Sequence, residues 1–100
     1  MNPMYFVITK RVMGSGVTGG KDVLAVFRHS RDAEHYHLEE GGEIEPRVVI
    51  GKISTPNTVF VANEYHPDTD LSWFVGLYGN FDLAKKAAGE PSEVLKVDVR

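Results

Sequence analysis

Three of the four histidines in this 100-residue chain fall in one short stretch, as His29, His35 and His37. Histidine is the commonest metal ligand and titrates near neutral pH, so such a group suggests a metal centre or an acid–base site. A helical zinc pair needs histidines four residues apart, whereas His35 and His37 are two apart, which suits an extended segment. In an extended segment Glu39 and Glu40 would add ligands. A metal site at His35 and His37 is kept as the alternative; we expect no metal and no cofactor.

Two polar connections carry the other residues that could do chemistry. The segment GSGVTG at 14–19 spells the dinucleotide motif G-x-G-x-x-G, but a strand follows it instead of the helix whose N-terminus holds the pyrophosphate. The segment HPDTD at 66–70 lacks the further oxygens and the downstream glutamate of a calcium loop. Both are expected to be exposed hairpin loops. Together with the aromatic Trp73, they supply the predicted contact residues for a protein partner, which are Ser15, Val17, Thr18, His66, Asp68, Asp70 and Trp73.

The composition sets limits on the class of protein. The chain is 42% hydrophobic and 25% charged, which is ordinary for a globular domain, and its net charge of −3 disfavours a nucleic-acid surface. It has no cysteine, which excludes disulfides, thiolate zinc sites and a cysteine nucleophile and fits a reducing cytoplasm. No segment has the length of a signal peptide core or a membrane helix, so we expect a cytoplasmic protein with no membrane partner.

The hydrophobic patterning predicts six strands and two helices in the order ββαβ, ββαβ. Strands are predicted at 5–11, 23–27, 47–53, 58–65, 72–78 and 93–99 from their β-branched, aromatic and alternating residues. The first helix follows a cap at His29 or Ser30. The second follows Asn80 and ends at Gly89, residue types that favour the two ends of a helix.

The two halves share a pattern when they are aligned. Residues 5–10 align with 59–64, residues 25–36 with 76–87, and residues 48–53 with 94–99. This predicts a single α+β domain over 1–100, built as a tandem ββαβ-ββαβ pseudo-repeat with halves at about 4–53 and 58–100, and a mainly antiparallel sheet. Two unrelated halves with the same element order are the alternative. The simplest packing puts both helices on one face, leaving the other face to self-association, a partner or curling of the sheet.

The same alignment orients the first helix. Ala33 aligns with Ala84 and His37 with Ala88, so Ala33, Tyr36 and His37 are expected to face the sheet. His35 lies about 200° around the helix from Ala33 and is expected to face solvent.

The segment VGLYGNFDLAKKAA, at 75–88, resembles a pattern found in small uncharacterised proteins of bacteriophages and bacteria. The resemblance covers roughly the second half of the chain. It implies a cytoplasmic ββαβ-type module and brings no known catalytic residues.

These observations together favour a small non-enzymatic protein-binding module. A phage-encoded inhibitor of a host enzyme or defence complex, including an anti-CRISPR-like role, is the hypothesis, and a homodimer is allowed. One alternative is a metal-dependent or acid–base enzyme that uses the histidines. Another is a single-stranded nucleic-acid module whose exposed aromatics stack on bases, with the platform Tyr5, Phe60, Trp73 and Tyr78.

Overall fold

The computed structural model describes residues 2–12 and 19–100, which form a single α+β domain with two helices and a six-stranded sheet. The elements in chain order are β1 Met4–Val12, β2 Gly20–Phe27, α1 Ser30–Glu40, β3 Glu43–Val48, β4 Thr58–His66, β5 Leu71–Tyr78, α2 Phe81–Ala88 and β6 Ser92–Asp98. Neither helix of the described chain is long and apolar enough to cross a membrane.

The strands lie in the order β3-β1-β2-β5-β4-β6. The strand β1 pairs antiparallel with β2 and β3, and β4 pairs antiparallel with β5 and β6. The two trios meet through a parallel contact between β2 and β5 at Lys21 and Trp73. The prediction of a mainly antiparallel α+β sheet is therefore confirmed, and the parallel pair is a feature that the sequence pattern did not indicate.

Each helix packs on its own half of the sheet, against the residues that alternate with those of a shared core. Ile8 packs with Ala33 of α1, and Ala62 packs with Ala84 of α2. The alternate residues of the same strands point the other way and pack together across the halves. The central core that they form contains Val7, Val26, Val49, Val59, Val61, Phe74, Leu77 and Val99. Curling of the sheet, one of the three covers anticipated, thus buries the faces that the helices leave open.

The third strand lies earlier than predicted, at Glu43–Val48 instead of 47–53. Pro46 made the sequence pattern disfavour a strand at this place, since proline cannot donate a hydrogen bond to a neighbouring strand. The Val49 nitrogen donates to the Pro3 carbonyl at 2.9 Å. Because the backbone N–H groups of an antiparallel strand alternate between its two sides, the nitrogen of residue 46 points away from β1. The proline removes no bond from the sheet there, because β3 is an edge strand.

The two trios share several details of backbone geometry. The pairing of β1 with β2 shifts register between Ile8 and Thr9, and that of β4 with β5 shifts between Ala62 and Asn63. Val99 donates to the Asn57 carbonyl at 2.8 Å, as Val49 does to Pro3. Val49 therefore corresponds to Val99, and the alignment of 48–53 with 94–99 was wrong in register. The tandem pseudo-repeat itself stays a prediction.

Candidate functional site

The connections after β1 and β4 leave the sheet side by side. Lys21 pairs with Trp73, and a Cβ placed on Gly20 would lie 3.2 Å from the Leu71 Cβ, so the first residues of β2 and β5 are in contact. The described residues that follow the two predicted binding loops therefore lie next to each other. This end of the sheet is called the hairpin end below; its described residues are Arg11, Gly20, Lys21, Leu71 and Trp73, with the connection at 66–70.

A buried ion pair lies beneath the hairpin end. The Lys21 Nζ donates to the Glu45 Oε1 at 2.6 Å, and only 9% of the Lys21 side chain is exposed. The Arg47 Nη2 lies 3.7 Å from the same oxygen. Burial alone raises the pKa of the Glu45 carboxyl, but the hydrogen bond and charge of Lys21, the charge of Arg47 and the nearby Thr9 hydroxyl outweigh it and lower this pKa. Glu45 is therefore ionised at neutral pH.

The ionic character is confined to the first half of the molecule. The positions corresponding to Lys21 and Glu45 in the second half are Ser72 and Leu95, which carry no charge. Within the described residues, the buried oxygens without a hydrogen-bond partner are Thr9 Oγ1, Glu45 Oε2 and Asn63 Oδ1. Two of these three oxygens, those of Thr9 and Glu45, lie in the cluster around Lys21. This part of the interior therefore contains more polar groups than a hydrophobic core needs.

Two cations lie close to the Trp73 ring at the hairpin end. The Lys21 Nζ lies 5.5 Å and the Arg11 guanidinium carbon 5.9 Å from the centroid of that ring. Both distances are those of cation–π contacts. Trp73 is only partly buried and belongs to none of the three core clusters. It therefore presents part of a large aromatic ring at the hairpin end.

The connection between β4 and β5 carries the other predicted contact residues. Asp68 and Asp70 are exposed, and the His66 Nε2 lies 3.9 Å from a Glu64 carboxylate oxygen. The Tyr65 hydroxyl donates to the Asp70 Oδ1 at 2.5 Å, and this bond to an anion raises the pKa of Tyr65. The remaining predicted contact residues, Ser15, Val17 and Thr18, lie outside the described residues.

The three clustered histidines do not converge. The His35 Nε2 pairs with the Glu39 carboxylate at 3.1 Å on the exposed side of α1, and the His37 Nδ1 hydrogen-bonds to the Gly42 carbonyl. His29 is the N-cap residue, without a side-chain capping bond. His37 is exposed, so its predicted position against the sheet was wrong. In residues 2–12 and 19–100, no three histidine, aspartate or glutamate side chains are grouped to hold a metal ion.

The predicted stacking platform of aromatic residues is not formed. Tyr5 packs against the central core, whereas Phe60 and Tyr78 pack beside α2. Only Trp73 of the four stays outside the clusters. The sequence could not separate them, because the alternation of a strand does not show which of its faces a helix covers.

Comparisons of the chain with family models, with curated proteins and with solved structures found no match. No relative therefore supplies a residue role, and the hairpin end is identified by its geometry alone. Sequence alignment gave no signal for its ionic core, because it placed Val49, and not Glu45, opposite Leu95.

Proposed function

We propose that this chain is a small non-enzymatic module that binds another protein through the hairpin end. The observation that carries the proposal is the position of Trp73, which lies where β2 and β5 begin side by side and contacts Arg11 and Lys21. Tryptophan, tyrosine and arginine dominate the binding energy of protein interfaces, because they bury a large area and lose little conformational freedom. Tyr65 and Arg11 supply the other two types at this end.

The ion pair beneath Trp73 suits such a role. A contact residue binds more tightly when its conformation is already set, because less entropy is then lost on association. Lys21 contacts the Trp73 ring and is itself anchored to Glu45 at 2.6 Å. We infer that the cluster holds the tryptophan in its binding conformation.

The finer parts of the proposal concern origin and partner. We propose a cytoplasmic, phage-encoded inhibitor of a host enzyme or defence complex, with an anti-CRISPR-like role as one form of it. The resemblance of residues 75–88 and the small size of the chain support this. We also propose that the halves arose by tandem duplication, which the matching register shifts at Ile8 and Ala62 support.

The test compares capture of a partner by two aromatic variants. Tagged wild-type protein, Trp73→Ser and Phe81→Ser are incubated with a lysate of a candidate bacterial host. Phe81 is 48% exposed at the start of α2 and is the matched control, because it is an exposed aromatic remote from the hairpin end. We expect a reproducible partner with the wild type and with Phe81→Ser, and a loss of at least about tenfold with Trp73→Ser. Absence of a reproducible partner, or capture that Trp73→Ser leaves intact, contradicts the proposal.

Single-stranded nucleic acid is the second candidate, because Arg11 and Lys21 flank an aromatic ring that could stack on a base. Titration with single-stranded DNA and RNA at low salt tests it; binding that falls steeply with added salt and with Arg11→Gln would replace the protein partner by a nucleic acid. The metal-dependent or acid–base enzyme gains no support from the described positions of His35 and His37.

A further inference from the structure

A second candidate site lies away from the hairpin end, in a cleft beside α1. The cleft has a volume of about 320 Å³ and is lined by Phe27, Asp32, His35, Tyr36, Glu39 and Arg100. Four of these are spaced three, one and three residues apart along α1, which places them on one face of the helix. The volume is at the lower end of the range for small-molecule sites.

Arg100 forms one side of the cleft together with two aromatic rings. Its guanidinium carbon lies 5.8 Å from the centroids of both Phe27 and Tyr36, whose rings are themselves 5.5 Å apart. Its backbone is fixed, since its nitrogen donates to Val26 and its carbonyl accepts from Arg28, both at 2.9 Å. Within the described residues the guanidinium makes no hydrogen bond or ion pair, so its N–H groups remain free to bind an oxyanion.

Two carboxylates also line the cleft. Asp32 and Glu39 project from α1, and Glu39 is paired with His35 at 3.1 Å. Among the described residues Asp32 makes no ion pair, and no oxygen of Asp32 or Glu39 comes within 4.0 Å of the Arg100 guanidinium. The cleft is thus lined by a cation and two carboxylates, and neither carboxylate is paired with Arg100.

We propose that this cleft binds a zwitterion of amino-acid size. The carboxylate meets the Arg100 guanidinium, whose planar fork matches two carboxylate oxygens. The ammonium meets Asp32 and the free oxygen of Glu39, and an apolar or aromatic side chain lies against Phe27 and Tyr36. A simple anion lacks a partner for the carboxylates, and a simple cation is repelled by Arg100. Only a ligand with both charges satisfies both sides. The proposal is independent of the protein-binding role.

The test uses L-phenylalanine as the probe, with two blocked forms of it. Phenylalanine amide lacks the carboxylate, and N-acetylphenylalanine lacks the ammonium. We expect millimolar L-phenylalanine to shift the backbone amide NMR signals of α1 and of residues around Phe27, and each blocked form to bind at least about tenfold more weakly, as expected for loss of a charge-assisted bond. Equal binding of all three would show that the charges do not select the ligand and would overturn the proposal, as would the absence of any shift with L-phenylalanine.

Variants of single charges locate the site. We expect Arg100→Gln and Asp32→Asn each to weaken binding of L-phenylalanine by about tenfold or more. Arg31→Gln and Glu34→Gln are the matched controls, because both residues are exposed on α1 and neither lines the cleft. Thermal melts establish that the variants fold. Binding unchanged in folded Arg100→Gln, or lost equally in the controls, would overturn the assignment.

Discussion

At the scale of single residues, the two halves of the molecule differ most in their interior charges. Lys21 and Glu45 form a largely buried pair in the first half, whereas the buried Ser72 and the 41% exposed Leu95 occupy the corresponding positions in the second. A backbone of the same arrangement therefore folds around either solution. The charged solution is the costlier one, because both ions lose hydration. This difference supports a functional role for the pair in fixing Trp73.

The cost of breaking the pair can be measured. We expect Lys21→Met to lower the free energy of unfolding by about 2–3 kcal/mol, because it leaves a largely desolvated Glu45 carboxylate without its main partner. Adding Glu45→Leu should recover most of that loss, because it removes the carboxylate that Lys21→Met leaves without its main partner. Urea unfolding of the two variants and the wild type decides the matter. A double variant less stable than Lys21→Met would show that the pair is needed for stability and not for function.

The lowered pKa of Glu45 predicts how stability depends on pH. A carboxyl whose pKa is lower in the folded than in the unfolded chain contributes its full stabilisation when the pH is above its ordinary pKa of 4.5. That contribution is lost as the pH falls below 4.5 through the folded pKa. Urea unfolding across this interval should show a smaller acid loss of stability in Glu45→Gln than in the wild type. Parallel curves for the two proteins would mean that Glu45 titrates normally.

At the scale of elements, the two helices differ in how firmly they pack. In α1 only Ala33 is buried, whereas α2 buries both Ala84 and Ala88. His37, aligned with Ala88, is exposed and binds the Gly42 carbonyl after the end of α1. It is thus a link between the helix and the following turn. Leu38 beside it is 82% exposed, which confirms that this end of α1 packs weakly.

Exchanging the residues at these aligned positions tests the difference. We expect His37→Ala to cost less than about 1 kcal/mol, the value of one exposed hydrogen bond. We expect Ala88→His to cost about 2 kcal/mol or more, because a large polar ring must enter a packed site. Thermal unfolding of both variants provides the measurement. Similar costs for both would mean that the helix ends are equivalent and that His37 packs against the sheet after all.

At the scale of the whole molecule, the sheet has two edges with different protection. Pro46 lies at the centre of β3, at a position where the backbone N–H of any other residue would point outward. Because proline has no N–H, this position cannot donate to another strand, which discourages pairing at this edge. Lys96 lies at the corresponding position of β6, and the bond from Val99 to Asn57 shows that position 96 also points outward. The β6 edge is therefore protected by a charged side chain instead of a proline.

Proline substitution distinguishes the residues of β6 whose N–H groups point outward from those whose N–H groups face β4. We expect Lys96→Pro to change the free energy of unfolding by less than about 1 kcal/mol, because no sheet bond is lost. We expect Val97→Pro to cost about 3 kcal/mol or more, because its N–H faces β4 and its loss breaks the ladder. Urea unfolding compares the two. A large loss of stability in Lys96→Pro would show that the outward N–H of this edge strand makes a bond. Light scattering of the wild-type protein would then show whether a second copy supplies the partner in a homodimer.

Local sequence pattern determined most of the elements of this protein. The alternating segments around Val7 and Val61 gave strands within a few residues of the observed bounds, and Asn80 caps α2 as its residue type predicts, accepting a bond from the Leu83 nitrogen at 3.1 Å. These features depend on neighbours within a few residues along the chain. The third strand was misplaced because Pro46 is acceptable only at an edge, and strand order is not a local property.

The tertiary structure alone decided which residues meet. Lys21 and Glu45 are 24 positions apart, and Trp73 belongs to the other half, so no spacing rule brings them together. The same holds for Arg100 beside α1. The alternation of residue types along a strand indicates that the strand has two faces. It does not indicate that the faces without helices bury each other, which depends on curling of the sheet. Curling buries apolar area from the whole chain, so it is not a local property. The histidines are neighbours in sequence, but in the structure His29, His35 and His37 do not converge.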